Sequence, residues 1–295
     1  MESIFISGIT GFVGQNLIKY FDEKRYNVKK IDRNDYSNLS NSDIIIHLAG
    51  KAHDLKNVSN PQEYYKVNTE LTKKIFDAFL VSNSKVFITL SSVKAVSDNT
   101  EAVLTEDFIP NPKTHYGKSK RLAEEYILAN LPNDKRVYIL RPCMIHGEGN
   151  KGNLNLLYNF VKKGIPYPLG SFDNKRSFLS IANLCFIINE LVERDDIPSG
   201  IYHLADDEPV SSVDLIKLIS QVIHKKIFIW KIPKFIINVI AKFGDFLPLP
   251  INTERVIKMT ENYVVSNQKI KNVLGKEFPV SSANGLKKTI ESFNK

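Results

Sequence analysis

Short apolar runs alternate with longer amphipathic stretches along the first half of the chain. Runs rich in β-branched and aliphatic residues predict strands at residues 4–7, 27–31, 44–48, 85–90 and 137–140. Between them, apolar residues recur at helical spacing near residues 12–22, 61–81, 116–129 and 153–163. Uniformly apolar strands separated by helices are typical of a parallel sheet covered on both faces. The pattern therefore predicts an α/β fold with a doubly wound, Rossmann-type parallel sheet.

The pattern changes near residue 150. Proline and glycine become more frequent beyond that point, in GIPYPLG, DIPSG and FLPLP, and strand and helix patterns lose their regular alternation. We predict a first domain over residues 1–150 and a smaller C-terminal lobe over residues 151–295. Segments near residues 175–205 are expected to return to the first domain.

Composition narrows the functional classes. The chain has 295 residues, 43% of them hydrophobic and 24% charged, which is enough apolar content for a large core. The net charge of +8 is dispersed, and no basic cluster alternates with aromatics, so we expect an anionic small substrate and no nucleic acid. Cys143 and Cys185 lie in apolar surroundings without metal-ligand spacing, which predicts free thiols, no metal site and a reducing, cytoplasmic environment.

One segment, residues 232–249, is a candidate for membrane contact. No apolar run reaches the roughly 18 residues of a membrane span, and the first residues do not resemble a signal peptide. The segment is apolar but is interrupted by Pro233, Lys234, Lys242, Asp245 and Pro248. We therefore expect a helix packed on its own domain rather than one lying on a membrane surface.

Three glycines follow the first predicted strand and precede a helix. They lie in the stretch formed by Gly8, Ile9, Thr10, Gly11, Phe12, Val13 and Gly14. Glycines at this spacing allow a tight turn, close approach of a pyrophosphate and close packing of helix on strand. The helix N-terminus adds N–H groups and a positive dipole end. A structural turn without a ligand is the alternative, but the strand–helix junction favours a dinucleotide site.

The second strand leads into Asp32, 18 residues after Gly14. A carboxylate at this place accepts hydrogen bonds from the adenosine ribose and repels a 2′-phosphate, which favours NAD over NADP. Arg33 leaves the alternative open, because a guanidinium could hold that phosphate.

Tyr116 and Lys120 begin the third predicted helix at a spacing that places both side chains on one face. A tyrosine has an ordinary pKa near ~10, and a neighbouring ammonium would lower that pKa and make the phenol a useful base. Ser91 and Ser92 end the strand before this helix, at the sheet edge where ligands of such folds bind. Either serine could bond a reacting hydroxyl, and a merely structural role remains open for one of them.

Eight segments of the chain together resemble motifs of the extended short-chain dehydrogenase/reductase family. They are GITGFVG, DIIIHLAGKAH, VNTELTKKI, LSS, YGKSK, LRPCMIHGEG, KGNL and KRSFLSIANL. Within it they resemble the NAD-dependent epimerase/dehydratase group, which acts on nucleotide sugars. The resemblance implies NAD bound to the first domain, substrate bound mainly to the C-terminal lobe, and a homodimer. KGNL and PYPLG resemble UDP-sugar enzymes and imply a UDP-sugar substrate.

The resemblance also implies roles for single residues. Leu48, Ala49 and Gly50 would run beneath the cofactor pyrophosphate, and Asn68 would support the neighbouring strand ends. Ser92, Tyr116 and Lys120 would be the catalytic residues, with Tyr116 and Lys120 also contacting the cofactor. Asn153 and Arg176 would hold the diphosphate of the substrate.

The reaction implied by the resemblance is oxidoreduction at C4 of the sugar. A 4-epimerase of a UDP-hexose or UDP-N-acetylhexosamine is the first expectation, and a reductase of a UDP-4-keto-6-deoxy-N-acetylhexosamine is the alternative. A silent dinucleotide-binding sensor or scaffold is a third reading. The 4,6-dehydratase branch has an Asp-Glu pair where this chain has Val93 and Lys94, so dehydration is not expected.

Overall fold

The computed structural model describes residues 3–24, 26–31, 36–51, 60–150, 152–246 and 252–294. The strands are β1 Ser3–Ser7, β2 Asn27–Lys30, β3 Ile44–His47, β4 Val86–Leu90, β5 Arg136–Pro142, β6 Met144–His146, β7 Phe178–Ser180 and β8 Gly200–Leu204. The α-helices are α1 Phe12–Glu23, α2 Pro61–Tyr64, α3 Leu71–Val81, α4 His115–Ala129, α5 Asn153–Lys162, α6 Ile181–Glu193, α7 Ser212–Val222, α8 Lys234–Gly244, α9 Thr253–Thr260, α10 Gln268–Leu274 and α11 Ser282–Ser292. A π-helical turn, Tyr65–Glu70, joins α2 to α3, and 3₁₀ turns span Ser37–Asn41 and Val93–Ala95.

Six strands form one parallel sheet in the order β2-β1-β3-β4-β5-β8. The predicted doubly wound α/β fold is therefore confirmed. From β1 the chain passes to β2 on one side and then crosses to β3 on the other, so the strand order reverses at β1. Ligands of open parallel sheets bind at such a reversal, outside the carboxyl ends of the strands. Here that crevice lies between the ends of β1 and β3.

Both faces of the sheet are buried, as expected for parallel strands. In β1, Ile4 and Ile6 join one apolar cluster and Phe5 joins the other, which follows the two-residue period of a strand. Helices α1 and α6 cover the first face, and α3 and α4 cover the second. Because both faces are fixed by burial, the ends of the strands hold the site residues in a rigid frame.

The C-terminal lobe has a core of its own. It brings together Leu154 of α5, Ile216 of α7, Ile237 of α8 and Ile290 of α11. Strands β6 and β7 form a separate two-stranded parallel sheet at the junction with the first domain.

Three segments beyond residue 150 join the core of the main sheet. They are β8, α6 and a return between residues 263 and 274 that the sequence pattern did not indicate. Tyr263, Val265, Ile270 and Leu274 are the buried members of that return. Its effect is to place Tyr263 close to the carboxyl edge of the sheet, on the side of Ser92.

Candidate active site

The glycine turn after β1 has the geometry that its spacing predicts. Gly8 has a φ of +73°, and a Cβ there would lie 2.6 Å from the backbone nitrogen of Ala49. A Cβ on Gly14 would lie 2.4 Å from the carbonyl oxygen of Gly8. Gly8 therefore permits the turn and Gly14 the close packing of α1 on the turn.

The N-terminus of α1 faces outward at this turn. Gly11 is the N-cap residue, no described side chain caps it, and the first turn of α1 carries no acid. Thr10 and Gly11 are exposed, while Phe12 and Val13 are half-buried. The first N–H groups of a helix lack partners within the helix, and together with the dipole they suit a phosphate. The turn therefore fits the pyrophosphate of a dinucleotide.

The opposite wall of the crevice is the end of β3, and a buried histidine braces it. The Ala49 N–H donates to Ser7 Oγ (3.1 Å), and Ser7 Oγ lies 2.6 Å from His47 Nδ1. His47 Nε2 lies 2.9 Å from Thr72 Oγ1, which donates to the Asn68 carbonyl (2.7 Å). The single hydroxyl proton of Thr72 is donated to the Asn68 carbonyl, so the Thr72 oxygen accepts from the Nε2–H of His47. His47 Nδ1 is then unprotonated and accepts from the Ser7 hydroxyl.

This network requires a neutral imidazole. Burial, together with the nearby charge of Lys120, lowers the pKa of His47 to about 3. His47 therefore supports the Leu48–Gly50 wall from beneath rather than taking part in proton transfer.

Asn68 ties the segment that follows β3 to α4, the helix that carries Tyr116 and Lys120. Its Oδ1 accepts from the Lys51 N–H (2.7 Å), and its Nδ2 donates to the Lys51 carbonyl (3.1 Å) and to Ser119 Oγ (3.0 Å). A Cβ on Gly50 would lie 3.0 Å from Lys120 Nζ and 3.2 Å from Asn68 Oδ1. Gly50, Asn68 and Lys120 therefore meet at one point, and Asn68 belongs to the π-helical turn, a distortion frequent at functional sites.

Tyr116 is placed against Ser92 by the way α4 begins. Thr114 caps the helix by accepting from the Gly117 N–H (3.2 Å), and Asp98 accepts from the Thr114 hydroxyl (2.9 Å). A Cβ on Gly117 would lie 2.4 Å from the Lys94 carbonyl oxygen, so only glycine lets α4 approach the turn after Ser92. Neither Gly117 nor Asp98 was expected from the sequence pattern, although the Tyr-Gly dipeptide is a signal for the glycine.

The electrostatics of Tyr116 differ from expectation. Burial raises its pKa, the hydrogen bond with Ser92 lowers it, and the neighbouring Tyr64 raises it. The Lys120 ammonium donates instead to the Leu90 carbonyl (2.8 Å), and burial lowers its pKa to about 8 while Glu124 raises it. Burial therefore raises the pKa of Tyr116, contrary to the lowering expected from Lys120, and the hydrogen bond with Ser92 only opposes that rise.

The two serines after β4 have different surroundings. Ser91 donates to Glu124, which is buried and forms a two-pronged ion pair with Arg141 (2.9 and 2.6 Å). Ser92 pairs with Tyr116. Of the two candidates, Ser92 thus lies beside Tyr116, and Ser91 belongs to a buried ion pair that the sequence pattern did not indicate.

Several charged groups collect on the far side of Ser92. The Arg176 guanidinium donates to the Lys258 carbonyl and lies 3.4 Å from Glu261 Oε1. Lys94 Nζ lies 4.1 Å from the centre of the Tyr263 ring. Burial lowers the pKa of Lys94, Glu261 raises it and Arg176 lowers it, so these groups share one electrostatic cluster.

The side chains of three predicted site residues lie outside the described part of the structure. Asn153 is the first residue of α5, and its side chain lies outside the described part of the structure. Asp32 and Arg33 also lie outside the described residues.

Comparison with known proteins assigns the family. Residues 4–205 match the NAD dependent epimerase/dehydratase family. The chain is 29% identical to UDP-glucose 4-epimerase of Vibrio cholerae over 99% of this chain and 95% of that protein. It is 25% identical to N-acetyl-alpha-D-glucosaminyl-diphospho-ditrans,octacis-undecaprenol 4-epimerase of Escherichia coli O157:H7 over 77% and 74% of the two chains. Its fold is similar to that of UDP-N-acetylglucosamine 4-epimerase from Bacillus cereus, with a TM-score of 0.78 and 18% identity over 100% of both chains. The chain therefore belongs to the NAD-dependent epimerase/dehydratase family of the extended short-chain dehydrogenase/reductases, and it is an enzyme whose cofactor is NAD.

Proposed function

We propose that the protein is a 4-epimerase of a UDP-hexose or UDP-N-acetylhexosamine that keeps its NAD through the catalytic cycle. The observation that carries the proposal is the meeting of Ser92, Tyr116 and Lys120 at the same sheet edge as the glycine turn. Relatives named as 4-epimerases of UDP-glucose and of a polyprenol-linked N-acetylglucosamine support the C4 position.

Tyr116 and Ser92 have different roles in the proposed proton transfer. Tyr116, as phenolate, accepts the proton of the C4 hydroxyl while the C–H hydride leaves the same carbon, so the alcohol becomes a ketone. Bound NAD would supply the acceptor and donor of that hydride. Ser92 holds the oxygen between phenol and sugar, and its hydrogen bond favours the phenolate form of Tyr116. Return of the proton from Tyr116 completes the second half-reaction.

Lys120 contributes charge and position. Its ammonium lies at the point where Gly50 and Asn68 meet, beside the cofactor wall, and its donors are directed by the Leu90 carbonyl. A lysine at this point can hold the ribose hydroxyls next to the nicotinamide. Its pKa of about 8 keeps most of the side chain protonated at neutral pH.

We further propose that Arg176 and Asn153 hold the substrate diphosphate. A guanidinium suits two phosphate oxygens because its donors form a planar fork. In the present geometry that fork is paired with Glu261 and the Lys258 carbonyl. Substrate binding must therefore exchange the Glu261 contact for phosphate oxygens, and Lys94 adds a second positive charge nearby.

The deciding experiment compares two reactions of the purified protein. UDP-N-acetylglucosamine and UDP-glucose are incubated with the enzyme without added cofactor, and the C4 epimer is followed by NMR. An epimerase retains the hydride and needs no added cofactor, so the epimer should accumulate to equilibrium. If no epimer forms, and NADH is instead consumed with a UDP-4-keto-6-deoxy-N-acetylhexosamine, the protein is a 4-ketoreductase and the proposal is wrong.

A further inference from the structure

Helix α8 exposes most of its apolar side chains. Only Ile237, Ala241 and Gly244 are buried against the lobe. The exposed apolar residues of the helix and of the turn that follows it are Phe235, Ile236, Val239, Ile240, Phe243 and Phe246. Phe235 is 69% exposed and Phe243 61% exposed. The expectation that this segment packs on its own domain is thus correct only for a narrow stripe of the helix.

The exposed apolar surface adjoins the buried stripe and is wider than it. Successive helical residues are about 100° apart, which places the exposed apolar side chains of α8 within an arc of roughly 140°. The buried stripe occupies a different arc of roughly 60°. Lys234, Asn238, Lys242 and Asp245 fill the remaining side. We call the exposed set from Phe235 to Phe246 the α8 face.

The segment before the helix carries two more exposed aromatic side chains. Phe228 and Trp230 are both exposed and alternate with Ile229 and Lys231, which bridge to Tyr167 and Leu169. Side chains two residues apart in an extended chain lie on the same side, so those of Phe228 and Trp230 point in the same direction.

The surface is positively charged around its apolar part. Residues 225–246 contain five lysines and one acid, Asp245, a net charge of +4. Aromatic residues beside lysines on an amphipathic helix are typical of segments that lie in a membrane interface. Among the described residues no helix is long and apolar enough to cross a bilayer. Contact with a membrane would therefore be confined to its surface.

We propose that the α8 face docks the C-terminal lobe on an anionic bilayer surface. Charge selects this occupant over a second copy of the chain. A two-fold contact through the α8 face would bring together two copies of residues 225–246, each of net charge +4, whereas anionic headgroups attract each of them. The apolar arc then enters the interface while Lys234 and Lys242 stay level with the headgroups.

The chain provides its own reporter, because Trp230 is its single tryptophan. It is 53% exposed, so transfer into the interface should shift its emission to shorter wavelength. We would titrate the purified full-length protein with phosphatidylcholine vesicles and with vesicles containing about one third phosphatidylglycerol. The proposal expects a blue shift and co-flotation with the anionic vesicles, weakened by salt, and little binding to phosphatidylcholine alone.

Two variants of the α8 face separate the apolar and charged contributions. Phe235→Ser with Phe243→Ser should abolish flotation. Lys234→Gln with Lys242→Gln should weaken binding by on the order of fivefold per lysine. Val81→Ser with Ile109→Ser removes two exposed apolar residues elsewhere and should float like the unmodified protein. Activity on a water-soluble UDP-sugar should be unchanged in every variant, because none of these residues belongs to the Tyr116 site.

Three outcomes would overturn the proposal. The first is no binding to anionic vesicles, and the second is binding that survives the double phenylalanine substitution. The third is a light-scattering mass showing that the same substitution splits a dimer, since a second copy would then cover the α8 face. Failure of the epimerase assay would leave these measurements unaffected.

Discussion

The Glu124→Gln substitution tests whether the buried ion pair behind the site stabilises the fold. The Glu124 and Arg141 side chains are only 1% and 2% exposed, and two hydrogen bonds of 2.9 and 2.6 Å join them. Glutamine keeps the shape of the side chain but leaves the Arg141 guanidinium without its counter-charge. Breaking a buried pair in this way costs about 3–5 kcal/mol. His203, 3.4 Å from Arg141, offers no replacement counter-charge, because an imidazole is either neutral or positive, and burial lowers the pKa of His203 to about 4.

The neighbouring residue supplies the control. Glu125 lies on the same helix and pairs with Arg121 at 2.8 Å, but its side chain is 49% exposed. Exposed pairs of this kind contribute roughly 0–1 kcal/mol, so Glu125→Gln should leave the urea midpoint almost unchanged. Glu124→Gln should lower the midpoint strongly, and its melting temperature should fall by on the order of 10 °C. Equal midpoints for the two variants would refute the reasoning.

The same substitution should also change the pH dependence of activity. Glu124 raises the pKa of Lys120, which burial has lowered to about 8. Without that carboxylate the pKa of Lys120 falls further, and the ammonium loses its proton at a lower pH. The alkaline limb of kcat/KM should therefore move to lower pH in Glu124→Gln and stay in place in Glu125→Gln. A purely structural role for Glu124 would lower the melting temperature and leave the profile unmoved.

Four further predictions address the site directly. Tyr116→Phe should lower kcat by roughly 10²–10⁴-fold and retain NAD binding, as measured by turnover and NAD titration. The control is Tyr64→Phe, whose ring packs edge-on against Tyr116, and its kcat should stay within about tenfold of the unmodified enzyme. Arg176→Ala should weaken UDP binding in calorimetry and leave NAD affinity alone; unchanged UDP affinity would remove Arg176 from the diphosphate site. Titration of the cofactor-free protein should show tighter binding of NAD than of NADP because of Asp32, and the reverse order would contradict that assignment. The pKa of His47 is lowered to about 3, so below about pH 6.5 the unfolded chain binds a proton that the folded chain does not. The free energy of unfolding should therefore fall by roughly 2–3 kcal/mol between pH 7 and 4.5. The fall should be smaller in His47→Gln.

Local patterns predicted the parts of the fold that local physics determines. The apolar strands and the glycine turn depend on neighbours within about ten residues, and the structure places β1, Gly8 and α1 as their spacing indicated. The sheet edge followed in turn, because parallel strands end at the same side.

The parts that depend on distant partners were not accessible from sequence. Glu124 and Arg141 look like ordinary charged residues of a helix and a strand until the fold brings them together. The predicted helix at residues 61–81 contains the π-helical turn, which no periodicity signals. For α8, an apolar pattern around nearly the whole helix does not show which side meets the lobe, so its exposed face emerges only from the packing of Ile237 and Ala241.

The hydrogen bonds of Asn68 explain how the cofactor wall and the proton-transfer residues keep a common geometry. Its side chain joins Lys51, in the segment that follows β3, to Ser119, on α4 between Tyr116 and Lys120. Its carbonyl ends the chain of bonds that begins at Ala49 and passes through His47. A displacement of the wall is thus transmitted to the helix that carries the base. Since reaction rates fall steeply when reacting groups move by about 1 Å, this buried asparagine has to be as fixed as the groups it connects.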